Sequence, residues 1–204
     1  MIKRILAAFV LVFALIGCAS PMRHTLSKNF NELAPRSIAV LPVVWDDYFE
    51  GEDREISNLF RKMSETKLRE LNYKTVPNDI VDAKYAKIGA SALKKMTPAE
   101  VVAAFDADAV LLIKLTEWDK KLISTYAALK VSGELSLYSY NGELLWSNEY
   151  KSGEADMRLD KYPMELAVIK AYEPKVQRFI EAVFSTLPAQ QPKVERPQLY
   201  QWLP

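Results

Sequence analysis

The chain has 204 residues, half of them apolar and 26% charged, with a formal net charge of +1. That size and balance describe one globular domain with its own core plus flanking tails, and a charge so near zero supplies no field that would select nucleic acid. One cysteine leaves no internal disulfide, and one cysteine with one histidine is too few for a zinc site.

The chain opens with Lys3 and Arg4, followed by an uninterrupted apolar run from Ile5 to Ile16. About a dozen apolar residues behind a basic start match a signal-peptide core and fall short of a bilayer span. Leu15-Ile16-Gly17-Cys18 comes at once. A branched residue, a small residue and a cysteine at this place resemble the lipobox of bacterial lipoproteins. The resemblance implies cleavage of residues 1–17 as a signal peptide, a diacylglycerol group on the Cys18 thiol, and an acyl chain such as palmitate on the new amino terminus. Such a set of acyl chains exceeds the two-signal need for stable anchoring. Ala19, not Asp, follows the cysteine. By resemblance to Gram-negative sorting, this implies the outer membrane, on its periplasmic face.

From Ala19 to Pro35 the sequence is polar and aperiodic, so residues 18–35 read as a lipidated tether, with His24 solvated inside it. A coil of that length has an end-to-end distance of roughly 20–25 Å. Arg36 to Trp45 is β-branched and almost wholly apolar, which predicts one strand buried on both faces, with Pro42 near its end. After an acidic loop, Ile56, Leu59, Phe60, Met63 and Leu71 fall on a helical stripe. Tyr73 to Val76 predicts a short strand. Asn78 is placed to cap a helix that Gly89 ends. Thr97-Pro98-Ala99-Glu100 carries an N-cap, a proline at the first helical position and a glutamate three residues after the cap, so a helix runs to about Phe105.

Asp106-Ala107-Asp108 turns the chain into the apolar strand Ala109 to Trp118. Period-two alternation from Ala127 to Leu137 predicts an antiparallel strand, with Leu129, Val131 and Leu135 toward a helix layer. Asn141-Gly142 predicts a type I′ turn back into Glu143 to Lys151. A helical stripe from Pro163 to Leu187 passes through Leu166, Ile169, Val176, Ile180 and Val183, and Pro174 should kink or split it. Residues 188–204 hold four prolines and no glycine and read as an extended tail. Residues 36–187 thus form a single α/β domain, a three-layer sandwich with a mixed sheet of about five strands and helices on its faces.

The segments Ile38 to Asp47 (IAVLPVVWDD), Leu68 to Pro77 (LRELNYKTVP), Phe105 to Trp118 (FDADAVLLIKLTEW) and Asn141 to Tyr150 (NGELLWSNEY) together resemble a known family. They look like the bacterial lipoproteins of domain-of-unknown-function family 799, related to a neisserial surface-antigen group. More distantly they resemble the CsgG, LpoB and TolB-amino-terminal superfamily. The resemblance covers about Arg36 to Leu187 and implies a TolB-amino-terminal-like fold and an envelope location, without a catalytic motif. The chain departs from the pattern after its first Leu-Pro, where Val43-Val44-Trp45-Asp46-Asp47 replaces small polar residues.

Residue types that carry chemistry are present but scattered. The acids Asp46, Asp47, Glu50, Glu52, Asp53 and Glu55 lack the ladder spacing of a calcium loop and read as a solvated loop leading into a helix. Ser91-Ala92-Leu93-Lys94 matches Ser-x-x-Lys in letters only, and Asp106 and Asp108 suit a turn. The chain has no P-loop, G-x-G-x-x-G or G-x-S-x-G, so no catalytic, metal or cofactor residue is assigned. Trp45, Tyr48 and Phe49 either cover the local core or meet a partner protein. Tyr200 and Trp202 in the tail raise the same question, in cis or in trans. The expectation is an outer-membrane-anchored, non-enzymatic protein-interaction module in an envelope assembly or a secretion or transport complex. The alternative is a hydrolase or binding protein of peptidoglycan or sugar that works through carboxylates.

Overall fold

In the computed structural model, which describes residues 23–45, 54–119, 130–151 and 168–190, the two most apolar stretches of the chain lie side by side. Strand β2 (Ser37–Val40) pairs in parallel with β5 (Ala109–Asp119), Ile38 opposite Ala109 and Val40 opposite Leu111. β2 and the first half of β5, Ala109 to Ile113, are covered on both faces, as near-continuous apolar stretches must be, while Lys114 and Thr116 farther along β5 are exposed. β4 (Lys74–Thr75) flanks β2 in parallel. On the other side of β5, β6 (Lys130–Ser139) and β7 (Leu144–Lys151) continue antiparallel. The described sheet has seven strands, with β3 (Val44–Trp45) pairing β5 beyond β2.

The count exceeds the expected five for two reasons. Pro42 has no N–H to give the ladder, so the predicted strand 36–45 breaks into β2 and β3. The second addition lies where a tether was expected. Arg23–Leu26 forms β1, antiparallel to β7 with Arg23 opposite Glu149 and Leu26 opposite Trp146. A short helix α1 (Phe30–Leu33) follows and buries Phe30. The Glu143 carboxylate holds this segment by accepting from Ser27 Oγ at 2.5 Å and Asn29 Nδ2 at 3.2 Å. The folded part therefore takes in residues 23–35, and His24 stands on a strand.

One face of the sheet is covered by α2 (Arg54–Glu70) and α6 (Val168–Phe184). Ile38 and Val40, alternate residues Ala109 to Leu115, and Val131, Leu135 and Leu137 meet Ile56, Phe60, Val176, Phe179 and Val183 there. The Phe60 ring lies 5.9 Å from Trp118 and 5.3 Å from Phe179, both edge to face, an arrangement aromatic pairs favour. Leu111, within the apolar stretch from Ala109, is fully buried; Leu129 lies outside the described residues. The opposite face carries α3 (Asn78–Ile88), α4 (Ala90–Leu93) and α5 (Pro98–Ala104), which pack Val81, Val102 and Phe105 on Ala39, Leu41 and Val110. The result is the expected three-layer mixed α/β sandwich.

Local details correct some of the sequence reading. Helix α6 continues through Pro174 without splitting, its apolar stripe held on the sheet. α5 starts as expected, with Thr97 and Glu100 closing a capping box. Asn78 makes no cap hydrogen bond in α3, because its Oδ1 accepts instead from Arg61 Nη2 at 2.7 Å. The β6–β7 turn is not type I′, which needs two positive φ angles. Only Gly142 has one, at 83°. The turn spans Tyr140–Gly142, with Gly142 N donating to Ser139 O and Ser139 N to Glu143 O. Further on, Leu137 stands opposite Trp146 but Tyr138 opposite Leu144, so Leu145 is an extra residue. That bulge lets Leu145 and Trp146 both reach the larger core.

Candidate functional site

A cleft of about 500 Å³ lies at the carboxyl ends of β2 and β3, between the sheet and the α3–α5 layer. Parallel strands deliver the chain out of the sheet at this end, and crevices of open α/β sheets form there. Its floor is Leu41, Val110, Leu112 and Tyr138. Its helical wall is Tyr85, Leu93, Met96 and Val101, and its rim carries Val44 and Trp45. Val44 is 38% exposed. Among the described lining residues one side chain is charged, Lys94. The short α4 and the residues joining it to α5 bend the chain over the sheet and leave this space open. The volume lies within the range of clefts that bury small ligands or anchoring side chains, and an apolar lining with one cation favours apolar side chains over polar substrates.

Of the residues singled out in the sequence, Trp45 is brought to this cleft. It is half-buried, packs also against the larger core, and stands opposite Leu115 on β5. Cys18, Tyr48, Phe49, Tyr200 and Trp202 lie outside the described residues, as do Asp46 to Asp53. The start of the tail is described, and it is pinned down. Tyr73 Oη donates to Pro188 O at 2.6 Å, Gln190 N to Leu71 O at 2.8 Å, and Gln190 Nε2 to Pro35 O at 3.2 Å.

The remaining candidates serve the fold. The Asp108 carboxylate accepts from the backbone N–H groups of Arg36 and Ser37, both at 3.0 Å, fixing the start of β2. Asp106 pairs with Lys84. Ser91 is exposed on the four-residue α4 while Lys94 lines the cleft. Among the described residues no three His, Cys, Asp or Glu side chains gather as a metal site, and no helix is long and apolar enough to cross a membrane.

Sequence reasoning missed one buried polar cluster. Arg61, 3% exposed on α2, pairs with Asp82 of α3 at 2.7 Å and reaches Asn78 and Val40 O. Burial pushes the Glu65 carboxyl above its ordinary value, against the pull of Arg61 and Arg69. The i, i+4 spacing of Arg61 and Glu65 was the available signal, but the same spacing marks ordinary exposed helix pairs.

No protein-family model matches the chain, and no curated protein matches it. The resemblance to family 799 therefore stands on the sequence segments alone. Solved structures similar to the chain include the lipoprotein GNA1162 from Neisseria meningitidis, at 22% identity and TM-score 0.46, covering 70% of this chain and 96% of that one. Another is a PelC dodecamer from Paraburkholderia phytofirmans, at 14% identity and TM-score 0.49, covering 81% and 97%. The LpoB C-terminal domain from Salmonella enterica aligns at 12% identity and TM-score 0.41, covering 57% and 82%. Likenesses at these identities and TM-scores carry no argument about what this chain does.

Proposed function

We propose that the protein is a lipoprotein anchored through Cys18 at the periplasmic face of the outer membrane, where its α/β domain acts as a non-enzymatic contact module for another envelope protein. The lipobox from Leu15 to Cys18 supports the anchor. The cleft carries the contact reading: about 500 Å³, apolar walls, one cation, and exposed Val44 at the rim. Protein contacts gain most from apolar and aromatic anchors seated in such hollows. A cell-wall hydrolase acting through carboxylates needs a facing pair of acids, and the described lining residues include none.

A photoreactive residue at Val44 should give a discrete cross-linked adduct in the membrane fraction. Leu93→Glu in the cleft wall should abolish that adduct, and the same probe at exposed Ile80 should give none. No adduct at Val44, or hydrolysis of purified peptidoglycan by the protein, overturns the contact reading. Cys18→Ser should release the protein from membranes or leave an uncleaved precursor. Its recovery in the outer-membrane fraction at the normal mature mass overturns the anchor.

A further inference from the structure

The strand registers place one row of residues across the sheet. Arg23 on β1 stands opposite Glu149 on β7, Glu149 opposite Glu134 on β6, Glu134 opposite Lys114 on β5, and Lys114 opposite Val44 on β3. From this row β1 runs toward Leu26, whose own row holds Trp146, Leu137 and Leu111. The backbone therefore enters the sheet from the end at which Arg23 stands. β5 and β6 extend past the row at that same end, to the pair Asp119 and Lys130. At about 3.3 Å per residue the ladder projects roughly 13–15 Å beyond Arg23. In the other direction the ladder closes at Ser139 and Ala109, with the turn Tyr140–Gly142 beyond it, about 20 Å from the Arg23 row.

Between Cys18 and β1 stand Ala19, Ser20, Pro21 and Met22. Five Cα steps reach at most about 18 Å even when fully extended. That reach is close to the distance by which the β5–β6 ladder overhangs Arg23. We propose that the Arg23 end of the sheet faces the leaflet holding the Cys18 lipid, with the far end of the β5–β6 ladder against its headgroups and the turn Tyr140–Gly142 pointing away. The orientation rests on the lipid-anchor reading and adds to it which surface meets the bilayer. The row carries both signs of charge, Arg23 and Lys114 beside Glu134 and Glu149, so the orientation follows from chain length and not from the charge of this row. The cleft rim at Val44 lies on this same row, so a protein seated there meets the module close to the membrane.

Lipidation consumes the thiol of the single cysteine, so an added cysteine gives a single label on the mature lipoprotein. Three exposed sites serve: Thr116→Cys on β5 and Lys151→Cys on β7, both past the Arg23 row, and Tyr140→Cys in the far turn. The labelled protein is placed in phosphatidylcholine vesicles containing a nitroxide headgroup lipid. Quenching should be severalfold stronger at positions 116 and 151 than at 140. Inserting about a dozen Gly/Ser residues between Met22 and Arg23 should close the gap, since a flexible linker of that length adds roughly 20 Å of reach. Equal quenching at the two ends, or stronger quenching at 140, with the protein still floating with vesicles, overturns the orientation alone. Lipobox-intact protein that does not float with vesicles overturns the anchor reading, and the orientation with it.

Discussion

Arg61 closes the open flank of β2 by donating through Nε and Nη2 to the Val40 carbonyl, at 3.3 and 3.1 Å. β4 ends at Thr75, so no strand residue reaches Val40 on that side. The guanidinium supplies the missing donors and, through Asp82 and Asn78, ties α2 to α3 across the edge of the sheet. Its planar fork suits three acceptors at once, which an ammonium does not. Arg61→Ala should destabilise the fold by about 3 kcal/mol, the scale of a lost charged hydrogen bond with a buried acceptor left behind. Arg61→Lys should recover less than half of that. Urea midpoints of the two variants at pH 7 check this, and an unchanged midpoint for Arg61→Ala would remove the strut role.

Glu65 sits one turn along α2 from Arg61 and is buried, with Oε1 lacking a hydrogen-bond partner. Burial raises its pKa above 4.5, so the folded state holds the proton more tightly than the unfolded chain. The stability this gives is full below the unfolded value and is lost as pH rises through the folded one. Glu65→Gln abolishes the titration. Its melting temperature relative to wild type should rise between pH 4 and pH 7. A constant difference across that range would show that burial is not the dominant influence on Glu65.

The parts of this fold that the sequence discloses are those whose side chains bury with a regular period. Ile38 to Leu41 and Ala109 to Ile113 are apolar without a break because both faces of those stretches are covered, and Ile56, Leu59 and Phe60 repeat as a helix face. β1 leaves no such trace. It is an edge strand with all four residues exposed, so its pairing with β7 comes from backbone groups that any sequence offers. The cleft was illegible for another reason: its lining comes from β3, β5, β6, three helices and the connections between elements, and no local pattern encodes their convergence. Trp45 was legible as an aromatic in a polar context, but its place at the rim depends on Pro42 splitting the strand before it.

Gly133 on β6 has no room for a side chain against β5. A Cβ there would lie 2.6 Å from Lys114 O and 3.0 Å from Leu115 Cδ2, with the Phe179 ring at 3.3 Å. Since the nearest obstacle is backbone, relief requires the two strands to move apart. Gly133→Ala should cost about 1–3 kcal/mol, the range of overpacked cores. Stability equal to or above wild type in chemical denaturation would mean that the strands separate freely here.

The contact of Tyr73 with Pro188 tests whether the start of the tail belongs to the domain. The hydroxyl donates to the Pro188 carbonyl, and burial pushes its pKa up to about 12 from 10. The folded state therefore favours the neutral phenol. The linked stability is complete below pH 10 and is lost as pH climbs through 12. Tyr73→Phe keeps the ring and removes both the hydrogen bond and the titration. At pH 7 it should cost about 1 kcal/mol, and the Gln190 N–H, which donates to Leu71 O, should exchange with solvent faster as residues 188–190 detach. Between pH 10 and 12 the wild type should lose stability that the variant does not, so the two melting curves should converge. If Tyr73→Phe leaves the pH 7 melting temperature and the Gln190 amide exchange rate unchanged, Pro188 is held by Gln190 alone, through its bonds to Leu71 and Pro35.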